Sequence, residues 1–208
     1  MSMNNSEILE RLVESPNAIK IIEAAQSVFE KEKIERQKFY DLTPEDIKAE
    51  FINGEIIFHS PARMQHWDVS TRLTSLLYIH VKNNKLGIVG VEKVMIRLTR
   101  NDYEPDICFF NNKKAEKFAP DQALFPAPDF IIEILSESTE KNDRGIKFID
   151  YAAHGVHEYW IIDPAKKTVE KYLLQQGEYY LEVKLSMEGR LQSTVVEGFA
   201  VDLGELFM

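Results

Sequence analysis

Apolar residues recur along the chain with two different periods, and these periods predict where helices and strands lie. Helical spacing marks residues 6–37, with a break near Pro16, and then residues 64–83 and 138–154. Shorter helices are predicted to begin at Thr43 and to close the chain at residues 201–207. Alternating or continuous apolar runs predict strands at residues 50–59, 88–91, 94–98, 104–110, 128–135, 157–164, 168–174, 178–185 and 190–196.

Turn residues predict how these helices and strands are connected. The dipeptide Asn53-Gly54 readily adopts positive φ angles and therefore predicts a tight β-hairpin. Gly87 and Gly155 are the expected ends of the two central helices. The strands between residues 88 and 110 are expected to run as consecutive antiparallel neighbours, those after residue 168 as further hairpins, and residues 111–126 as a polar loop. Helices on either side of a mixed sheet predict an α/β or α+β domain.

Residues 128–135 form the most informative strand of the chain. Apolar side chains occupy nearly every position, which is typical of a strand buried on both faces. Glu133 lies in the middle of this strand. A buried ionised carboxylate costs several kcal/mol unless it is paired, hydrogen-bonded or bound to a metal. The sequence therefore predicts a compensating partner for Glu133.

Asp106, at the start of the apolar strand 104–110, is a natural companion for Glu133. Carboxylates on neighbouring strands suit hard cations such as Mg²⁺ or Mn²⁺, which prefer oxygen ligands and substrate phosphates. Two ion-paired structural acids would give the same pattern. Spacing alone leaves both interpretations open.

A further cluster follows on the helix after this strand. Asp143, Lys147 and Tyr151 are spaced four residues apart and so share one helix face. A helix that follows a strand packs on its own sheet, so the ammonium of Lys147 could reach Glu133. Beside a metal and a phosphate, a lysine can orient water or neutralise charge on phosphoryl oxygens. An exposed salt bridge between Asp143 and Lys147 is the alternative.

Composition limits the classes of function. The formal charge of −9 opposes non-specific attraction to nucleic acid, so a polyanionic substrate would need a locally basic groove. Lys113, Lys114, Lys117, Lys141 and Arg144 could supply it, or could be solvated surface charges. No apolar run reaches the roughly 20 residues of a membrane span, and the N-terminus has no signal-peptide core. With one cysteine, Cys108, inside an apolar strand, these features predict a cytoplasmic protein.

In combination, the motifs resemble a known family. They comprise Glu104-Pro105-Asp106, the segment 128–136 that encloses Glu133, the helix residues Asp143, Lys147 and Tyr151, Gly155-Val156, and the segment 158–164. This array is similar to the Uma-two family of restriction-endonuclease-like nucleases, within the PD-(D/E)XK superfamily. The similarity extends from about Phe39 to Phe207. It implies a nuclease domain at residues 39–208, with a central mixed sheet flanked by helices, preceded by a helical extension at residues 1–38.

The resemblance also implies roles for particular residues. Asp106 and Glu133 would be the metal-binding acids, with Mg²⁺ or Mn²⁺ as cofactor, and Lys147 the catalytic lysine. The superfamily pattern places lysine two residues after the second acid, where this chain has Leu135. Glu50 would complete the acidic cluster, and His66 matches a histidine position of the family.

The implied activity is that of a metal-dependent endonuclease acting on DNA. A homodimer is expected by analogy, because two related sites most simply cut both strands of a duplex. Two other functions remain open at this point. One is a non-catalytic module that binds nucleic acid or a protein partner, and the other is a metal-dependent hydrolase of a different substrate.

Overall fold

The computed structural model describes residues 5–44 and 47–208, and these contain seven helices and thirteen strands. The helices are α1 (Asn5–Glu14), α2 (Ala18–Leu42), α3 (Met64–Asn84), α4 (Asn112–Ala115), α5 (Glu140–Asp143), α6 (Ile146–Ala153) and α7 (Leu203–Leu206). The strands are β1 (Ala49–Ile52), β2 (Glu55–Phe58), β3 (Gly87–Val91), β4 (Met95–Arg97), β5 (Asp102–Tyr103), β6 (Ile107–Asn111), β7 (Leu124–Phe125), β8 (Phe130–Ile134), β9 (Glu158–Asp163), β10 (Thr168–Gln175), β11 (Glu178–Leu185), β12 (Arg190–Gln192) and β13 (Ala200–Asp202).

A six-stranded sheet in the order β11-β10-β9-β8-β6-β3 forms the centre of the fold. Strands β8 and β9 are parallel and the other pairs are antiparallel, which confirms the predicted central mixed sheet. A second sheet has the order β2-β1-β5-β4-β7, and β12 pairs with β13. None of the helices in the described ranges has both the length and the apolar character needed to span a membrane.

The chain crosses between the two larger sheets more often than the sequence predicted. Strands β3 and β4 are not neighbours, because β3 pairs with β6 in the central sheet whereas β4 pairs with β5 in the second. Between β3 and β4, Glu92 has a positive φ of 60°, which turns the chain out of the central sheet. The expectation of consecutive antiparallel strands is therefore wrong at β3–β4. The predicted strand 104–110 is observed as β6, which pairs with β3 and β8 and not with β4. The predicted hairpin of β11 with β12 is also wrong, because β12 pairs with β13.

The turn residues account for most of the element boundaries. Asn53 and Gly54 have φ values of 52° and 88°, as the hairpin between β1 and β2 requires. Helix α3 ends at Lys85 in the left-handed region, so Gly87 is not its stop and instead begins β3. The predicted helix over residues 138–154 is divided into α5 and α6, because Gly145 has a non-helical ψ of −101°.

The structure also bears on the predicted loop over residues 111–126 and on the predicted helix at Thr43. The predicted loop over residues 111–126 contains the short elements α4 and β7. Part of the helix predicted to begin at Thr43 falls on Glu45 and Asp46, which lie outside the described residues; Thr43 itself is extended and ends α2.

Separate apolar cores cover the two faces of the central sheet. Ile132 and Ile134 of β8 pack toward α3 and α7, whereas Ile131 and Leu135 pack toward α6 and the second sheet. Each fully buried side chain of this size contributes roughly 1.5–3 kcal/mol. Because side chains alternate along a strand, this pattern fixes Glu133 on the face that meets α6 and the second sheet.

The long helix α2 is anchored to the domain by a buried ion pair. Arg36 Nε donates to Asp102 Oδ2 at 2.6 Å, and the hydroxyl of Tyr40 donates to the same oxygen at 2.8 Å. Phe39 is buried nearby, whereas most apolar residues of α1 and α2 remain exposed. The domain boundary predicted between residues 38 and 39 falls within α2 and stays a prediction.

Candidate active site

Asp106 and Glu133 lie side by side where the two larger sheets meet. The pairing of Ile107 with Ile132 sets the register of β6 and β8, so the residues just before and just after this pair become neighbours. The Ile134 N–H donates to Asp106 Oδ2 at 2.9 Å, and the Asp106 N–H faces Glu133 Oε2 at 3.3 Å. The structure thus brings together the two acids that the sequence placed on adjacent strands.

Lys147 extends from α6 into the centre of the acidic cluster. Its Nζ lies 2.8 Å from Glu50 Oε1, 3.0 Å from Asp143 Oδ1 and 3.1 Å from Glu133 Oε1. The side chain is only 2% exposed, so the pair with Asp143 is not the solvent-exposed salt bridge that the sequence also allowed. The hydroxyl of Tyr151 donates to Glu133 Oε1 at 3.0 Å.

Glu50 comes from β1 of the second sheet and joins the cluster from the opposite side to β8. Its Oε1 accepts the Glu104 N–H at 3.0 Å, which ties β1 to the corner between β5 and β6. Its Oε2 lies 3.1 Å from His59 Nε2, at an angle that does not make a hydrogen bond. Glu50 is fully buried, whereas Glu55 of the same hairpin is exposed.

Two basic side chains, Lys48 and His66, contact the carboxylate oxygens of Asp106. Lys48 Nζ donates to Asp106 Oδ1 at 2.8 Å and to Glu92 Oε2 at 3.3 Å, and His66 Nε2 lies 3.2 Å from Asp106 Oδ2. The sequence predicted His66 but missed Lys48 and His59. A signal existed for Lys48, because it precedes Glu50 by two residues and so shares its side of an extended chain.

The pKa values of these groups reflect an excess of buried acids over buried cations. Burial acts to raise the pKa of Glu50, but Lys147 and His59 lower it to about 2. Burial raises the pKa of Glu133 to about 8, with Asp143, Asp106 and Glu50 adding to the increase against the effect of Lys147. Burial likewise opposes ionisation of Asp106, but His66 and Lys48 lower its pKa. One ammonium cannot neutralise three carboxylates, and burial raises the pKa of Asp143 as well.

Asp106, Glu133, Lys147 and Lys48 line the floor of a cleft of about 780 Å³, whereas Glu50 is not among its lining residues. Among the described residues, seven acidic side chains line it, together with three lysines, one arginine and two histidines: Lys48, Lys147, Lys166, Arg63, His59 and His66. The lysines and the arginine proposed from sequence as a groove do not line this cleft. Lys114 instead donates to the Ala127 carbonyl at 2.7 Å, and Arg144 pairs with Glu170 at 2.7 Å.

Comparison with known protein families identifies the chain. The family model Uma2, described as "Putative restriction endonuclease", matches residues 36–204. The chain belongs to the Uma2 family. The matched residues include Glu50, His66, Asp106, Glu133 and Lys147, so the whole cluster lies within the region that defines the family. The family match supports a nuclease-like function.

A sequence relative and a solved structure are similar to this Uma2 protein over most of its length. An uncharacterized protein of Synechocystis sp., slr1290, is 26% identical over 162 residues, which are 75% of this chain and 82% of the relative. A crystal structure of a putative nuclease of DUF820 from Anabaena variabilis superposes with a TM-score of 0.70 at 22% identity, covering 82% of this chain and 96% of that one. The second similarity confirms the nuclease-type fold.

The donor set of the Uma2 cluster fits a hard divalent cation. Asp106 and Glu133 offer adjacent carboxylate oxygens at the cleft floor, the ligand type that Mg²⁺ and Mn²⁺ prefer. The buried oxygens Glu50 Oε2 and Asp143 Oδ1 accept no hydrogen bond, and the buried nitrogens His59 Nε2 and His66 Nδ1 likewise have no hydrogen-bond partner. Within the described residues, no three His, Cys, Asp or Glu side chains converge as a preformed metal site. Substrate oxygens would therefore complete the coordination.

Proposed function

We propose that this Uma2 protein is an endonuclease that hydrolyses DNA phosphodiester bonds and depends on Mg²⁺ or Mn²⁺. The observation that supports the proposal is the juxtaposition of the Asp106 and Glu133 carboxylates at the floor of the cleft. A cleft that opens onto paired carboxylates is a common arrangement for positioning a cation and a phosphate together. Nucleases of this fold generally use divalent metals.

In this proposal Asp106 and Glu133 hold the cation. When bound, the ion would supply Lewis acidity to the phosphoryl group and a lower pKa to a coordinated water. Both acids are oriented by backbone amides, since the Ile134 N–H and the Asp106 N–H fix one oxygen of each. Backbone amides thus hold one oxygen of each acid in place.

The remaining residues of the site position these acids. Lys147 and Tyr151 direct hydrogen bonds at Glu133 Oε1 and so turn its other oxygen toward Asp106. His66 holds Asp106 from the α3 side, and Glu50 shares the charge of Lys147. The role of Lys147 in activating water, as the resemblance implies, would require one of its three carboxylates to release it.

The acidic charge of the protein bears directly on the substrate. A cleft lined by more acids than bases repels a polyanion, and the chain as a whole carries −9. A divalent cation at Asp106 and Glu133 would offset part of this repulsion at the reacting phosphate. DNA binding should therefore depend on the metal, which separates this proposal from simple electrostatic attachment.

Plasmid cleavage with and without Mn²⁺ tests the proposal. We expect nicking that requires the metal and falls at least 100-fold in Asp106→Asn and in Glu133→Gln. Glu137→Gln is the matched control, because Glu137 lines the same cleft but is 80% exposed and pairs only with Arg63 among the described residues. Equal cleavage by all three variants and the wild type would reject the proposed site, and absence of cleavage by the wild type would reject the activity.

A non-catalytic binding module is the second candidate. The observation in its favour is that Lys147 is fully engaged with carboxylates and has little exposure to the cleft. Isothermal titration with Mn²⁺ separates the two functions. Binding that is lost in Glu133→Gln supports the enzyme, whereas nucleic-acid binding that is indifferent to metal supports the module.

We also propose a homodimer, in which two related sites would address the two strands of a duplex. Light scattering on the purified protein checks it, and a monomer at micromolar concentration would contradict it.

A further inference from the structure

Lys48 and Lys147 contact the paired acids Asp106 and Glu133, respectively, and the surroundings of their ammonium groups differ. Lys147 is surrounded, with carboxylate oxygens of Glu50, Asp143 and Glu133 at 2.8, 3.0 and 3.1 Å from its Nζ. The Tyr103 ring lies 5.9 Å away on a further side. The Lys147 side chain is only 2% exposed, so a phosphate oxygen could approach its Nζ only by displacing one of these buried neighbours.

Lys48 has a different environment. Its Nζ donates to Asp106 and Glu92, its side chain is 19% exposed, and it lines the cleft. One N–H donor is therefore left over. The contact with Glu92 is also the weaker one, at 3.3 Å and with a partner that is 45% exposed. A phosphate oxygen in the cleft could take the free donor, or replace Glu92, without leaving any buried charge unpaired.

We propose that Lys48, and not Lys147, is the lysine that contacts the scissile phosphate, through a hydrogen bond from its ammonium to a non-bridging oxygen. This inference rests on the proposed function and specifies its substrate contact. Lys48 holds Asp106 with one N–H and the phosphate with another, so it fixes the distance between the acid and the reacting group. Lys147 is then a positioning residue that acts through Glu133 and Glu50.

The chemistry assigned to Lys48 involves no proton transfer. Water adds to phosphorus and loses a proton to solvent, the bond from phosphorus to the leaving oxygen breaks, and that oxygen takes up a proton. During this step negative charge increases on the non-bridging oxygens. The ammonium of Lys48 stabilises that charge and stays protonated throughout, as a fixed donor should.

The matched comparison is Lys48→Met against Lys166→Met. Both remove one positive charge from the same cleft, but Lys166 is 68% exposed and pairs with Asp163 at its rim. We expect Lys48→Met to lower the rate constant of DNA cleavage about 100-fold or more, and Lys166→Met to change it less than about threefold. Thermal melts of both variants establish that they are folded.

Rescue by small amines tests whether Lys48 acts as a hydrogen-bond donor. In Lys48→Ala, ethylammonium can donate an N–H from the vacated space, whereas tetramethylammonium carries the same charge without a donor. We expect at least tenfold recovery with the first and none with the second. Recovery with neither ion would overturn the proposal. Because ethylammonium could also donate to Asp106, the salt dependence of DNA binding separates the phosphate contact from a role in holding that acid.

Binding provides a readout that does not depend on turnover. A fluorescein-labelled duplex is titrated in Ca²⁺ at several salt concentrations, and the slope of log Kd against log salt should fall by about 0.9 in Lys48→Met. Wild-type cleavage rates and an unchanged slope in Lys48→Met would refute the role of Lys48 while the proposed function stands. A wild-type protein that neither cleaves nor binds DNA would reject both.

Discussion

Replacing Lys147 with methionine tests how the acidic cluster is stabilised. Methionine has a similar length and volume, so the change removes the charge while leaving the packing of α6 nearly intact. What remains is a group of three buried carboxylates, from Glu50, Glu133 and Asp143, that have lost their shared cation. Breaking a buried ion pair in this way costs about 3–5 kcal/mol, because the partner charge stays in the interior.

That cost corresponds to a large change in thermal stability. For a chain of this size, each kcal/mol lowers the Tm by about 2–4 °C, so Lys147→Met should melt about 6–20 °C below the wild type. Circular dichroism at pH 7 in EDTA measures the difference without contributions from metal. Adding Glu50→Gln to the same chain removes an acid that is ionised at pH 7, since its pKa is about 2, and should recover a substantial part of the loss.

Lys166→Met is the control for removal of a lysine charge. Its pair with Asp163 involves an ammonium that is 68% exposed, so the expected cost is about 0–1 kcal/mol. If Lys147→Met melted within 2–3 °C of Lys166→Met, roughly the shift for 1 kcal/mol, then the cluster would not depend on its ammonium. The assignment of Lys147 as a positioning residue would fall with it.

Three further predictions concern other parts of the fold. Burial acts to raise the pKa of Glu170, but Arg144, Lys184 and Tyr172 lower it to about 2. The stability that this carboxylate contributes is therefore present above pH 4.5 and is lost as the pH falls toward 2. Urea unfolding should show Glu170→Gln less stable than wild type at pH 7 and equal to it near pH 2. Arg36→Ala leaves Asp102 buried without its cation and should cost about 3 kcal/mol in urea unfolding; a smaller loss than in the control Arg63→Ala would contradict it. Gly54→Val places a branched side chain at φ 88° and should cost about 1–3 kcal/mol by the same assay, whereas Gly54→Asn should cost less.

The sequence predicted the elements of this fold better than their arrangement. Strand β8 and the hairpin at Asn53-Gly54 follow from local composition, because burial and turn geometry act on neighbouring residues. The separation of β3 and β4 into different sheets does not, since it depends on a backbone reversal at Glu92, a residue with no intrinsic preference for positive φ. The pairing of β12 with β13 is likewise decided by tertiary packing.

In the candidate site, too, local sequence patterns predicted some residues and missed those that depend on tertiary contacts. Asp106 and Glu133 could be found because carboxylates in apolar strands are unusual, and Lys147 because its spacing from Asp143 predicted a shared helix face. The structure divides that helix at Gly145, yet the two side chains still meet. Lys48 was missed, because its only signal was its position two residues before Glu50 and its contact with Asp106 spans 58 residues of chain. Long-range ion pairs leave little trace in a single sequence, and the roles of all these residues remain predictions until tested.

The position of Lys147 has a consequence for how this protein can change over time. Its ammonium joins β1, β8 and α5, three segments that come from distant parts of the chain. A substitution of Lys147 would therefore affect the folding of the domain as well as any chemistry at the site. On the proposed function, a lineage that lost Lys147 would therefore lose the stability of the domain together with its activity.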